Sequence, residues 1–290
     1  MQNSQACSEP QSKLVRLFLE RSGVTTPRGT PEQVMSELVE RTTAGKRTRS
    51  QSQRIQQFLD ARNIVSVEFV DDAGYDGMIE PVGSSFTGGF RVQLKAGTPD
   101  VRARFTLAHE ACHTFFYELA PEVKFGTHRA DDLEERLCNF GAAVLLIPTT
   151  SLRNRTKRLP ICLDSLKQLA QEYVVSLPTM LLRLRSLSLW KCQLSLWRRS
   201  VSGEFLLDRF YGGRRIEWKW QDASTLERVW RSNKSAFESG FVYAESRGAK
   251  AYKPIAYHAQ RSNEGVTVLW GSGIRPTAST YPLLEVARAA

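Results

Sequence analysis

The chain is poor in the features that mark secreted or membrane-embedded proteins. Its five cysteines, Cys7, Cys112, Cys138, Cys162 and Cys192, are an odd number with no C-x-x-C pair and no regular spacing. A disulfide framework is therefore not expected, and a reducing compartment is. No run of about 18 uncharged apolar residues occurs, which excludes an ordinary spanning helix. The opening MQNSQACSEPQSK lacks the basic start and apolar stretch of a secretory leader, so we expect a cytoplasmic protein without a membrane anchor. Internal repeats and low-complexity tracts are also missing, which excludes a repeat array. Histidine is scarce, at four residues.

What is present is globular. Apolar residues at 41% and charged residues at 24% of 290 positions are ordinary values for a folded chain, and a length prior of about 150 residues per domain suggests two domains. The formal net charge of +10 favours an acidic partner, such as nucleic acid or an acidic protein face. The charge is dispersed, however. Its clearest run, GKRTRSQSQR at Gly45–Arg54, reads first as a solvated linker and second as a phosphate-contacting patch.

Residues 1–12 are polar and expected to be disordered. SKLVRLFLERSG, PEQVMSELVERT and SQRIQQFLDARN then carry apolar residues at helical spacing, the second with a proline at its start, which predicts a helical, loosely tethered front end. From Val65 the runs VSVEFV, GMIEPV and GFRVQLKA, separated by Gly- and Ser-rich turns, predict a small antiparallel meander. TPDVRARFTLAHEACHTFFYEL follows as a long helix, and DDLEERLCNFGAAVLLIP as another, opened by acidic residues and closed by Pro148. LDSLKQLAQEYVVSLPTMLLRLRSL predicts two helices with a Tyr-Val-Val-Ser joint. Beyond Trp190, five strand-like runs surround one helix, STLERVWRSN.

The stretch RFTLAHEACHTFF, Arg104 to Phe116, holds two of the four histidines. In a helix, positions i and i+4 share one face, so His109 and His113 can aim a ring nitrogen each at one point, and a zinc ion at about 2.0–2.1 Å from both fits there. Glu110 lies about 100° round the helix, on the side that can hold a water at the metal and take its proton. Phe105, Ala108, Cys112 and Phe115 or Phe116 form the opposite stripe, expected to pack on the sheet. A catalytic zinc needs a third protein ligand and one open position. The candidates are His128, Glu118, Glu122, Asp131, Asp132, Glu134 and Glu135. Periodicity does not separate Glu134 from Glu135, because LCNFGAAVLLI is apolar nearly all round. Tyr117, Tyr173, Tyr257 and His258 are the candidates for stabilising an oxyanion.

RARFTLAHEACH, then ERLCNFGAAVLLIP, then LKQLAQEYVVSLPTMLLRL resemble, in order and spacing, the motifs of the ImmA/IrrE-type metallopeptidases over roughly residues 60–190. The resemblance implies His109, His113 and Glu135 as ligands of Zn2+ or Mn2+, Glu110 as general base, and Glu134 as a solvated neighbour. It implies a zinc-dependent endopeptidase that cuts one site in a helix-turn-helix transcriptional repressor, under a small-molecule or nucleic-acid signal and away from membranes. Two positions depart from the family pattern. Cys112 stands where glycine is common, and Gly141 where phenylalanine is; Cys112 and Cys138 both read as core thiols.

The expected architecture is α+β. A helical, partly disordered segment spans 1–50 and a zincin-like core of helices on a small antiparallel sheet spans 51–160. A helix-turn-helix-like segment follows over 161–190, then a β-rich domain over 191–290, which the resemblance implies to be a GAF-like sensor and which is alternatively a substrate-binding domain. Its aromatics in DRFYGGRRIEWKWQD and FVYAESRGAKAYKPIAYH are candidates for lining a ligand pocket or binding the substrate protein. The alternative is a DNA-binding or ligand-sensing regulator with a structural or vestigial metal site, in which Arg183 and Arg185 would face DNA.

Overall fold

The computed structural model describes residues 13–23, 30–44, 50–71, 73–83, 88–119, 132–212, 223–232, 237–245, 252–263 and 265–274. The chain divides into two compact units, Met1–Pro148 and Thr149–Ala290. Residues 1–12, where disorder is expected, and the first half of the basic run, 45–49, lie outside the described residues.

The first unit contains helices α1 (Lys13–Arg21), α2 (Pro31–Thr42) and α3 (Gln51–Ala61), strands β1 (Ile64–Val70), β2 (Gly77–Pro81) and β3 (Phe90–Lys95), and helices α4 (Asp100–Leu119) and α5 (Asp132–Leu146). Local chemistry sets the helix starts. Thr30 accepts from the Gln33 backbone N–H while the Gln33 side chain accepts from the Thr30 N–H, a reciprocal cap reinforced by Pro31 in the first turn. Ser50 caps α3 in the same sense through the Gln53 N–H, at 3.2 Å.

The expected three-stranded meander is corrected. β2 and β3 are antiparallel, but β1 runs parallel to β3, and the order is β1-β3-β2. The reason lies in the apolar rows. Phe90, Val92 and Leu94 of β3 are all buried, so this strand takes the centre, whereas Val65 and Phe69 of β1 stay 54% and 64% exposed at an edge. Ile79, Phe90, Val92 and Leu94 form the inner face, against Tyr117 and Leu107 of α4.

The predicted packing of α4 also changes. Its Phe105–Phe116 stripe does not lie on the sheet. Phe116 stacks on Phe18 of α1 at 4.5 Å between ring centroids, and Phe115 meets Phe58 of α3 edge-on at 5.9 Å. Because every residue from Glu110 to Tyr117 is buried, the helix is enclosed on several sides, with the sheet taking one and helices the others. α1 packs on α4, and α2 on α5, so the front end is part of the unit rather than loosely tethered. Gln51 and Arg54 of α3 donate to the carbonyls of Leu146 and Leu145, at 2.8 and 3.1 Å, satisfying acceptors that the last turn of α5 leaves open.

The second unit begins with α6 (Thr149–Thr156), α7 (Leu163–Glu172) and α8 (Leu177–Ser186), and the α7–α8 joint falls on the expected Tyr-Val-Val-Ser. Ser176 caps α8, with Pro178 in its first turn. The arginines that a DNA-reading helix would present are engaged within this unit. Arg183 is 2% exposed and donates to Thr149 Oγ1 at 2.7 Å, and Arg185 donates to the Cys192 carbonyl at 2.6 Å. Strands β4 (Lys191–Arg199), β5 (Phe205–Tyr211), β6 (Phe237–Glu245), β7 (Tyr252–Arg261) and β8 (Gly265–Ser272) follow, with α9 (Ala223–Arg231) between β5 and β6. They form one antiparallel sheet of order β5-β4-β8-β7-β6. Its core joins Tyr257, Ala259, Val266, Val268 and Trp270 to Leu226 and Val229 of α9. Residues 213–222 and 246–251, which hold much of the expected aromatic pocket, lie outside the described residues. No helix among the described residues is long and apolar enough to cross a membrane, and Cys112, Cys138, Cys162 and Cys192 are free thiols.

Candidate metal centre

The site is built where the middle of α4 meets the first turn of α5. One helical turn separates His109 from His113, and their Nε2 atoms face each other at 3.2 Å. Glu135 reaches both, with Oε2 3.2 Å from His109 Nε2 and Oε1 3.7 Å from His113 Nε2. Two donors at about 2.0–2.1 Å from a tetrahedral zinc stand about 3.3 Å apart, so these separations suit one ion. Among the described residues, His109, His113 and Glu135 are the cluster of three whose donor atoms all lie within 4.8 Å of one another.

The surroundings favour a cation. Glu110, Glu134 and Glu135 bring three carboxylates to two imidazoles, and a divalent ion would offset that concentration of negative charge. Glu135 is half-buried and held below the usual carboxylate range, chiefly by its hydrogen bond with His109, against its desolvation, with the charges of both histidines acting in the same direction as the hydrogen bond. Burial alone would push the His113 ring down. The hydrogen bond and charge of Glu134, joined by Glu110 and Glu135, outweigh it and raise the ring above its ordinary value.

Glu134 is not the solvated neighbour that the resemblance implied. Its side chain is fully buried, and its Oε1 lies 2.8 Å from His113 Nδ1. The first turn of α5 is clamped against α4, and only one of two successive side chains can point outward, about 100° from its neighbour; that one is Glu135.

Glu110 is nearly buried, and burial raises its carboxyl, against the opposing pull of His113 and His109. Strand β2 closes over it. A Cβ on Gly77 would overlap Thr106 Cγ2 and stand 3.0 Å from Glu110 Oε1, so only glycine lets the strand lie this close. An acidic group held in this way, beside a cation position, can accept a proton from water at neutral pH.

The other candidates fall elsewhere. Glu118 pairs with Arg62, and Asp132 is exposed at the start of α5. His128, Glu122 and Asp131 lie outside the described residues. Tyr117 is buried against Phe90, and burial raises its phenol. Tyr173 shares a hydrogen bond with Ser151 at 2.6 Å, Tyr257 accepts from Arg228 at 3.1 Å, and His258 is buried on β7. Cys112 and Cys138 are fully buried, and burial pushes the Cys112 thiol up to about 12, which makes it inert. Sequence reasoning missed the contacts of Glu134 and Gly77. The doubled glutamate was a visible signal for the first, while the second depends on a contact distant in sequence.

Residues 80–185 match the family model of the IrrE N-terminal-like domain, Peptidase_M78. Among solved structures, a Mycobacterium tuberculosis transcriptional regulator is similar in fold, with a TM-score of 0.50 at 12% identity over 89% of this chain and 78% of that one. No curated protein is matched by the sequence.

Proposed function

We infer, because residues 80–185 belong to the ImmA/IrrE-type metallopeptidase family, that this chain is a zinc-dependent endopeptidase. Its substrate is a helix-turn-helix transcriptional repressor, cut at one site to relieve repression in a stress or mobile-element response. The observation that carries the reading is the convergence of His109, His113 and Glu135 within 4.8 Å, beside Glu110. When bound, Zn2+ or Mn2+ would polarise the scissile carbonyl and acidify an attacking water. Glu110 would accept a proton from that water and return it to the leaving amine. Its raised pKa brings it closer to neutrality, where a carboxylate serves best as both base and acid.

The second unit is read as the regulatory part. Its single antiparallel sheet of order β5-β4-β8-β7-β6, with α9 against it, supports a GAF-like sensor. The DNA-binding alternative finds less support, because Arg183 and Arg185 are spent on Thr149 and Cys192.

The test incubates the zinc-loaded full chain with candidate repressors of the helix-turn-helix class. One discrete fragment pair is expected from the wild type, and none from Glu110→Gln with its metal retained. Equal cleavage by that variant contradicts the assigned role.

A further inference from the structure

We infer that Glu134 is a positioning residue, which holds the His113 ring in the tautomer that leaves Nε2 bare for a metal ion while Glu135 supplies the third donor. The inference rests on the metallopeptidase reading above and adds to it a residue that the family resemblance left in solvent.

Two successive carboxylates divide between two tasks because consecutive helical residues project about 100° apart. Glu135 points at the Nε2 atoms of both histidines. Glu134 points into the α4–α5 interface, where its side chain is fully buried, with Oε1 2.8 Å from His113 Nδ1. A carboxylate oxygen 2.8 Å from Nδ1 is placed to accept a hydrogen bond from it, which assigns the proton of the neutral ring to Nδ1. The lone pair then belongs to Nε2, the atom that faces His109 Nε2 at 3.2 Å. A ring held by packing alone could present either nitrogen to the cleft. The partner carboxylate also increases the donor strength of the imidazole.

Packing gives no reason for a carboxylate here. Burying one is unfavourable unless it is paired, and an apolar side chain would fill the same interface without that cost. The bond to His113 supplies such a pairing. It also accounts for the order of the pair, since exchanging the two tasks would put the ligand inside the helix interface and the supporting group in solvent.

The experiment uses the full chain as wild type, Glu134→Gln and Glu134→Asp, each metal-free and zinc-loaded. Zinc affinity is measured by competition with a chromophoric chelator, and imidazole protonation by long-range proton–nitrogen correlation spectra. Glutamine keeps the volume and an acceptor but not the charge; aspartate keeps the charge but falls one methylene short. Both should weaken zinc binding by about tenfold to a hundredfold, with the far-UV circular dichroism of the metal-free protein unchanged. Independently of how either variant folds, the wild type at a pH where the ring is neutral should show His113 protonated on Nδ1, with the downfield proton of a charge-assisted bond. A His113 proton on Nε2, or unchanged affinity in both variants, overturns the inference while leaving the zinc site in place. A wild type that retains no zinc overturns it together with the reading on which it rests.

Discussion

Cys112 Sγ packs so closely on the backbone of Gly141 that a Cβ added there would stand 2.7 Å from the sulfur and 3.1 Å from Cγ and Sδ of Met35. These are the two positions at which the family resemblance is broken, and they touch. The sulfur of Cys112 on α4 fills the space that Gly141, lacking a side chain, leaves open on α5. The candidate metal ligands flank this contact, His113 next to Cys112 and Glu135 six residues before Gly141, so it bears on how closely α4 and α5 approach.

Gly141→Ala should therefore overpack the interface and destabilise the chain by about 1–3 kcal/mol. Combining it with Cys112→Ala should recover part of that loss, because neighbouring substitutions are not additive. Urea denaturation of the single and double variants measures the coupling. Strict additivity would mean that the two residues do not share the space.

Gly77→Ala tests the closure of β2 over Glu110. The new methyl group overlaps Thr106 Cγ2 and crowds Glu110 Oε1 at 3.0 Å, so cleavage should fall by about tenfold to a hundredfold through misplacement of the base. Zinc affinity should hold, since no ligand is touched. Adding Thr106→Ser, which removes the obstructing methyl, should restore part of the rate. Wild-type turnover in Gly77→Ala would show that the strand yields freely.

The effect of pH should differ in sign between the metal-free and zinc-loaded chain. The raised His113 ring contributes stability that is complete below its ordinary 6.5 and is lost as pH rises through its folded-state value. Glu110, raised from 4.5, acts in the same direction, whereas the contribution of Glu135, lowered from 4.5, is lost only as pH falls through its depressed value. Zinc binding requires the unprotonated ring and strengthens as protons leave. The gap in Tm between zinc-loaded and EDTA-treated protein should widen from about pH 6 to about pH 8. A constant gap would contradict this assignment of the charges.

Much of this was legible in the sequence, for reasons that are local. The i, i+4 spacing of His109 and His113 belongs to one helix, and the two helices joined at Tyr-Val-Val-Ser carry their own cap at Ser176. The five strands after Trp190 each show a β-rich run. What was not legible depends on contacts between distant segments. The parallel pairing of β1 with β3 follows from which strand buries its row most completely, a property of the whole unit. The stripe on α4 was assigned to the sheet because amphipathic reasoning supposes one buried face, and this helix has several. Glu134 and Glu135 were inseparable by periodicity because α5 is apolar nearly all round. Their division became clear only when α4 was set beside them.

Metal content measures the central claim most directly. After equilibration with zinc and removal of excess, the wild type should retain about one equivalent per chain. His109→Ala, His113→Ala and Glu135→Ala, each folded by circular dichroism, should retain far less. A wild type that emerges metal-free, or three variants that hold zinc as the wild type does, would contradict the account.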